Sequence, residues 1–303
     1  MYNESIKQMF IKSKKDNNTF IDTILLSCFE KTSIFEEMFQ KDVSEFGMKE
    51  IIDMYKILNM DSFDVLAVFN SNLFQYTQFC LERGLIYSNR NVYQEITSDI
   101  LIQCLNKSLI NRQIISREDI LSYVVRLKNY RDKFIMLSLF EFGTGKKNYE
   151  DISHAKIKDI DKEKKKIKLY SGRIVNISPE LISIAEGSVE QEYYRSDMLE
   201  TLLIDDGTII KKKNNCININ DDFGSGRSIY LTIKKSLDDW GISEYINSNK
   251  IVISGEIHYV KSEAKRLGLS PNEYLKKFKY KVSNQFGKKI VMKTFLLKYS
   301  DYL

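Results

Sequence analysis

The run from Phe134 to Phe142, apolar almost throughout with Ser138 inside it, constrains the fold more than any other segment. A helix that is apolar on nearly every side must be covered on most of them, so this segment predicts the centre of a domain and not its surface. Gly143-Thr144-Gly145 follows at once and predicts a turn at the helix end. Ahead of it, Ser116-x-x-Asp119 reads as a helix start, with a hydroxyl cap and an acidic residue three positions on. After Asp159-Ile160-Asp161 the period shortens. Ile167 and Leu169, then Ile174, Val175 and Ile177, flank Ser171-Gly172 as in a tight β-hairpin. Ser178-Pro179-Glu180 opens the next helix, with Ser as cap and Pro where a missing N–H costs nothing. A second hairpin is expected to turn at Asp205-Asp206-Gly207, between Leu202-Leu203-Ile204 and Ile209-Ile210.

The first hundred residues carry helical spacing and no strand signal. Phe20, Ile24, Leu25 and Cys28 form one set; Phe35, Met38 and Phe39 a second; Ile51, Ile52, Tyr55 and Leu58 a third. A longer run from Ser62, with Leu66, Phe69, Leu73 and Tyr76, stops at Gly84. These predict a bundle of four or five helices. Polar Asn106-Lys107-Ser108 and Asn111-Arg112 place a boundary there, giving domains 1–110 and 111–303. A chain of 303 residues has room for two cores.

Composition excludes several classes. No apolar run approaches the roughly 18 to 20 residues of a membrane span, and Met1-Tyr2-Asn3-Glu4-Ser5 lacks the layout of a signal peptide. A cytoplasmic, nucleoid-associated protein is expected. Cys28, Cys80, Cys104 and Cys216 are widely spaced and there are only two histidines, so no metal, no disulfide framework and no cofactor are expected. The net charge of +5 is uneven: residues 1–108 carry 11 Lys and Arg against 15 Asp and Glu, residues 250–303 carry 12 against 4. The basic end is where a polyanion would dock.

From about Ile115 to Ile184, the order of capped helix, apolar helix, Thr-Gly turn, acidic helix, Asp-Ile-Asp, basic hairpin and Ser-Pro-Glu-Leu helix resembles the tyrosine recombinase and phage integrase family. The helical bundle ahead of it is similar to that family's core-binding (SAM-like) domain. The resemblance implies a mainly α chain: a core-binding-like bundle, then an α+β recombinase-like domain with a small antiparallel sheet. It also implies a chemistry: a tyrosine attacks the phosphodiester while two arginines hold the phosphate. A guanidinium fork donates two parallel hydrogen bonds, which a lysine cannot copy. The first arginine is due two residues after the turn glycine, at Lys147, or at Asn148 if one residue is inserted. Neither is arginine. The second belongs to a His-x-x-Arg element, and the comparable spacing downstream is His258-Tyr259-Val260-Lys261, which departs at the decisive position. His258 is therefore expected to be a partly exposed helix histidine. Tyr299 and Tyr302 stand where the nucleophile would lie, but with Phe295, Leu296 and Leu303 they read better as the packing face of a terminal helix.

Asn129-Tyr130-Arg131-Asp132-Lys133-Phe134, Leu139-Phe140-Glu141, Lys146-Lys147-Asn148-Tyr149-Glu150 and Ser171-Gly172-Arg173 resemble the temperate-phage master repressors of lysogeny. That resemblance implies a recombinase-like fold without recombination, bound to double-stranded operator DNA, no catalytic residue, and relief by a phage-encoded regulatory protein or a peptide-dependent antagonist. Separately, Ala264-Lys265-Arg266-Leu267-Gly268-Leu269-Ser270-Pro271 reads as the turn of a helix-turn-helix, with Ser270-x-x-Glu273 as a capping box. Expected DNA contacts are Lys146, Lys147, Arg173, Arg227, Lys261, Lys265, Arg266, Lys276, Lys277 and Lys279. Gly224-Ser225-Gly226-Arg227 lacks the Gly-Lys-Ser/Thr end of a nucleotide loop. Lys211-Lys212-Lys213 sits at a hairpin end and could track a backbone groove. Two other readings stand beside the repressor: an active or accessory integrase, and a protein-interaction scaffold.

Overall fold

The computed structural model describes residues 2–14, 19–145, 148–196, 199–214 and 222–303. It divides into two compact units, Met1–Ile110 and Asn111–Leu303.

The first unit is helical: α1 (Glu4–Ser13), α2 (Thr19–Phe39), α3 (Met48–Ile57), α4 (Phe63–Glu82), α5 (Ser98–Gln103) and the start of α6 (Lys107–Arg112). The long helix α4 organises it. Ser62 caps its start by accepting from the Val65 N–H, and Gly84 follows its end at φ +62°. Leu66, Phe69, Leu73, Tyr76 and Cys80 recur at helical spacing and are all buried. Phe10 and Phe29 meet Tyr76 edge-on, at 5.5 and 4.9 Å between centroids, and Phe79 joins Phe10 at 5.4 Å. Such edge-on pairs add to the area they bury. A charged cluster lies inside this core. The Lys7 ammonium donates to both Glu36 carboxylate oxygens and to the Tyr2 carbonyl, and Asp42 lies 3.8 Å away. The Val43 N–H donates to Glu36 and the Tyr76 hydroxyl to Asp42, so both carboxylates have donors beyond the lysine.

The second unit is mixed: α7 (Arg117–Arg126), α8 (Tyr130–Phe142), α9 (Glu150–Ser153), β1 (Ile160–Asp161), β2 (Lys166–Lys168), β3 (Ile174–Asn176), α10 (Pro179–Glu190), β4 (Tyr193–Arg195), β5 (Glu200–Ile204), β6 (Lys212–Lys213), α11 (Asp222–Asp239), α12 (Ser248–Arg266), α13 (Pro271–Phe286) and α14 (Met292–Tyr299). The apolar run is α8, and it is central: α7, α10, α12 and α13 pack around it. From Phe134 to Phe142 only Glu141 is not fully buried. The closest approach is at Gly255 of α12, where a β-carbon would fall 1.8 Å from the Phe140 carbonyl oxygen. Only glycine lets two backbones come this near.

Two antiparallel three-stranded sheets flank the helices, ordered β1-β2-β3 and β4-β5-β6. The first hairpin forms where the alternation places it, with Ile167 opposite Val175 and both pointing into the core. The second differs from its expectation. Ile209 and Ile210 are buried in a loop, Ile209 donating to the Ala155 carbonyl, and the strand that pairs β5 is Lys212–Lys213. Lys211, expected on a DNA-tracking hairpin end, is buried, with its ammonium bound to the Val189 and Gln191 carbonyls.

Candidate nucleic-acid interface

Helix α8 ends at Gly143, whose φ is +78°, and the chain turns through Thr144 and Gly145. Lys146 and Lys147, the expected phosphate contacts, lie outside the described residues. Beyond them Asn148 and Tyr149 both adopt the left-handed region, at φ 44° and 59°, and α9 begins. Two left-handed non-glycine residues in succession are costly and mark a turn held by its surroundings.

What holds it is Asp151. This fully buried carboxylate accepts from the Ser171 N–H at 2.8 Å, the Ser171 hydroxyl at 3.0 Å and Arg173 Nη2 at 2.7 Å. The rest of the Arg173 guanidinium is equally engaged, donating to the Asn284 and Gln285 carbonyls at 2.8 Å each and, at longer range, to the Phe142 carbonyl. Arg173 thereby ties the ends of α8 and α13 to α9 and the β2–β3 hairpin. Arg173, an expected phosphate contact, thus has its donors engaged by protein acceptors.

The first turn of α12 lies against the same place. The Tyr149 hydroxyl is 3.4 Å from the Ser248 hydroxyl, and Val252 Cγ1 is 3.5 Å from the position a β-carbon would take on Gly143. Val252 is buried there and Asn249, three residues earlier, is exposed. His258-x-x-Lys261 lies elsewhere on the same helix. Six residues of helix place His258 about 9 Å farther along α12, where its ring lies 5.7 Å from that of Phe140 and pairs with the Ser262 hydroxyl. Burial, then the nearby Arg117 charge, push the His258 imidazolium below its ordinary range. Beside it, Glu141 accepts from Ser178 and from Arg117, an arrangement that ties α7, α8 and α10 together.

Arg227 is exposed near the start of α11, and its neighbour Gly226 would place a β-carbon 2.8 Å from the Asn148 carbonyl oxygen, so Arg227 borders the turn. The remaining candidates form a separate group. Lys261, Lys265 and Arg266 are exposed on the last turns of α12, and Lys276, Lys277 and Lys279 are exposed on α13. The connection is as anticipated: Gly268 turns at φ +65°, and Ser270 and Glu273 complete a reciprocal capping box. Helix α13 then runs back along α12, so that Phe286 meets Tyr259 edge-on and its carbonyl reaches Gly143. Arg266 is paired with Glu263 on its own helix. The eight described candidates thus fall into two groups, Arg173 and Arg227 by the turn and the other six on the α12–α13 hairpin.

Nothing in the sequence singles out Val252, the residue that meets the turn. The available signal was Asn247 ahead of an apolar period that begins at Ile251; Asn247 does cap α12, accepting from the Lys250 N–H. Among the described residues, no group of His, Cys, Asp and Glu could hold a metal ion, and no helix is long and apolar enough to cross a membrane.

Residues 114–300 match the family model for the MrpR C-terminal catalytic domain, and residues 1–82 match that for the MrpR N-terminal core-binding domain. The chain belongs to the MrpR family. Its fold is the recombinase-like one of the MrpR type, with a helical core-binding domain ahead of a mixed catalytic-type domain. Among solved structures, the crystal structure of XerA recombinase is similar at 12% identity and a TM-score of 0.36, over 97% of this chain and 93% of that one. No curated protein matches the chain.

Proposed function

We propose that this MrpR-family chain is a sequence-specific repressor of the lytic genes of a prophage, which binds double-stranded operator DNA and does not cut it. The observation that carries the reading is Val252 seated against the Gly143 turn. Tyrosine attack on a phosphodiester builds negative charge on the non-bridging oxygens, and two guanidinium forks must converge there to stabilise it. Here the turn carries lysines at 146 and 147, the helix facing it presents an aliphatic side chain, and the nearby Arg173 is held by a buried carboxylate. A lysine gives point-charge attraction, enough for affinity and insufficient for the bidentate clamp. At the C-terminus, Tyr299 packs edge-on against Phe295 at 5.3 Å, and the Tyr302 hydroxyl donates to Asn111. Both are used in packing the terminal helix.

Exposed Arg227 beside the turn and the exposed basic residues of the α12–α13 hairpin supply phosphate contacts, and the core-binding domain the second hold. The protein would act in the cytoplasm at the nucleoid, with binding relieved by a phage-encoded protein or peptide-dependent antagonist. The deciding experiment incubates the full chain with nicked suicide duplexes carrying its own operator, recovered from bound genomic fragments. The expected result is retention that falls steeply with salt and no covalent product. A covalent adduct at Tyr299 or Tyr302 would reject the reading.

A further inference from the structure

A second site lies at the other end of α8 from the turn. Between the α7–α8 junction, β4 and the last turns of α11 is a cavity of about 320 Å³. Its volume falls at the lower end of the range of small-molecule sites. Asp132, on the first turn of α8, lines it and is about nine-tenths buried. Its Oδ2 is within reach of the Asn129 amide, but its Oδ1 accepts no hydrogen bond among the described residues. An anionic oxygen buried with no donor at hydrogen-bond distance is expensive, and burial pushes this carboxyl above its usual range against the opposing pull of Arg131 and Tyr194.

Three further observations say what would complete it. Arg126, Lys128, Arg195 and Lys235 line the cavity against Asp132 and Asp239, and with Glu200 paired to Arg195 at the rim the positive charges remain in excess, which favours an anion. Trp240 forms part of the wall, its outer partner being Tyr123, stacked at 4.8 Å and 16°. Arg131 Nη1 stands 3.6 Å from Asp132 Oδ1, so a full cation placed on that oxygen would also meet a guanidinium. The floor therefore favours a neutral N–H donor over an ammonium group, which disfavours an amino acid or a peptide terminus. A planar ring bearing neutral N–H groups, joined to an anionic group, meets all of these demands.

We infer that this cavity binds a free nucleoside monophosphate, with a base N–H donated to Asp132 Oδ1, the ring against Trp240 and the phosphate among the basic residues of the mouth. The site is separate from the candidate DNA interface. Ten residue steps along α8 separate Asp132 from Phe142, a rise of about 15 Å. The inference does not depend on the repressor reading.

Trp240 is the only tryptophan in the chain, so its fluorescence reports the site directly. The full chain is titrated with AMP, GMP, CMP and UMP, with the matching nucleosides and with inorganic phosphate. At least one nucleotide should quench Trp240 saturably. Asp132→Asn should weaken that nucleotide at least tenfold. Lys235→Glu should weaken it at least threefold, with no change for the nucleoside. Four flat nucleotide titrations would overturn the inference, as would a phosphate response with the same midpoint and amplitude, or a nucleotide affinity that Asp132→Asn leaves unchanged. If Asp132→Asn does not fold, Lys235→Glu decides on its own: it alters an exposed side chain, and an unchanged nucleotide affinity in it has the same force.

Discussion

Arg173 and Asp151 form a largely buried ion pair whose remaining hydrogen-bonding capacity goes to Ser171 and to the carbonyls of Phe142, Asn284 and Gln285. Removing the guanidinium by Arg173→Ala would leave a fully buried carboxylate with only the two Ser171 donors, a loss of the order of 3 kcal/mol. We expect urea unfolding of the second unit to shift accordingly, whereas a residue at a DNA phosphate would leave unfolding alone and lower the salt slope of binding by about one. His258 gives a prediction of opposite character. Its folded-state pKa is depressed, so its neutral form is stabilised by folding and that stability is lost as pH falls below the ordinary histidine value of 6.5. In His258→Gln, the drop in melting temperature between pH 7.5 and pH 5.5 should be smaller than in the parent. The histidine was legible as a helix residue, but its neighbours were not. Nothing in local spacing announces that Phe140 and Arg117 lie beside it, just as nothing announces that Arg173 will find Asp151 across twenty-two positions.

Helix boundaries were read well because their causes are local. Ser62, Ser116, Ser178 and Ser270 each cap the helix they precede by accepting from the N–H three residues on, and such a bond depends on four adjacent residues. The second sheet was read less well for the opposite reason. Ile209 and Ile210 are apolar because a loop carries them into the core, and an apolar pair looks the same in a buried loop as in a strand. The start of α12 is marked only by its Asn247 cap, because the polar stretch Asn247-Ser248-Asn249-Lys250 carries no apolar period until Ile251. Packing of α8 on α12 makes a sharp test of the helix pair. Gly255→Ala would drive a methyl into the Phe140 carbonyl, and we expect a cost of about 3 kcal/mol or more in thermal or urea unfolding. The hairpin group can be separated from the turn group by Lys265→Glu, Lys276→Glu and Lys277→Glu together. These exposed changes should leave the melting temperature in place while reducing DNA affinity and the steepness of its salt dependence. Unaltered binding would remove the hairpin from the interface.

Each unit closes its own apolar core, one around Phe10, Phe29 and Tyr76 and the other around α8. Unfolding should therefore resolve into two transitions in calorimetry. Lys7→Met strands the buried Glu36, at about 3 to 5 kcal/mol, and should move only one of them. Cys28, whose thiol burial pushes up to about 12, together with the buried Cys80 and Cys104, should resist alkylation at pH 8 until the first unit opens, as peptide mapping would record. The helical bundle, the mixed second unit and the first hairpin were all visible from period and capping, because each follows from spacing along the chain. The site was visible only as a pair of missing arginines, because the way that side chains converge is a property of the folded surface.

The seat of Val252 bears on how such a chain could change over time. An arginine at 252 on its own would thrust a charge among aliphatic neighbours with no anion opposite, and an arginine at 147 on its own would lack a companion. Each lone step carries a penalty and no reward, so on the proposed reading a guanidinium pair beside this turn would need both changes at once.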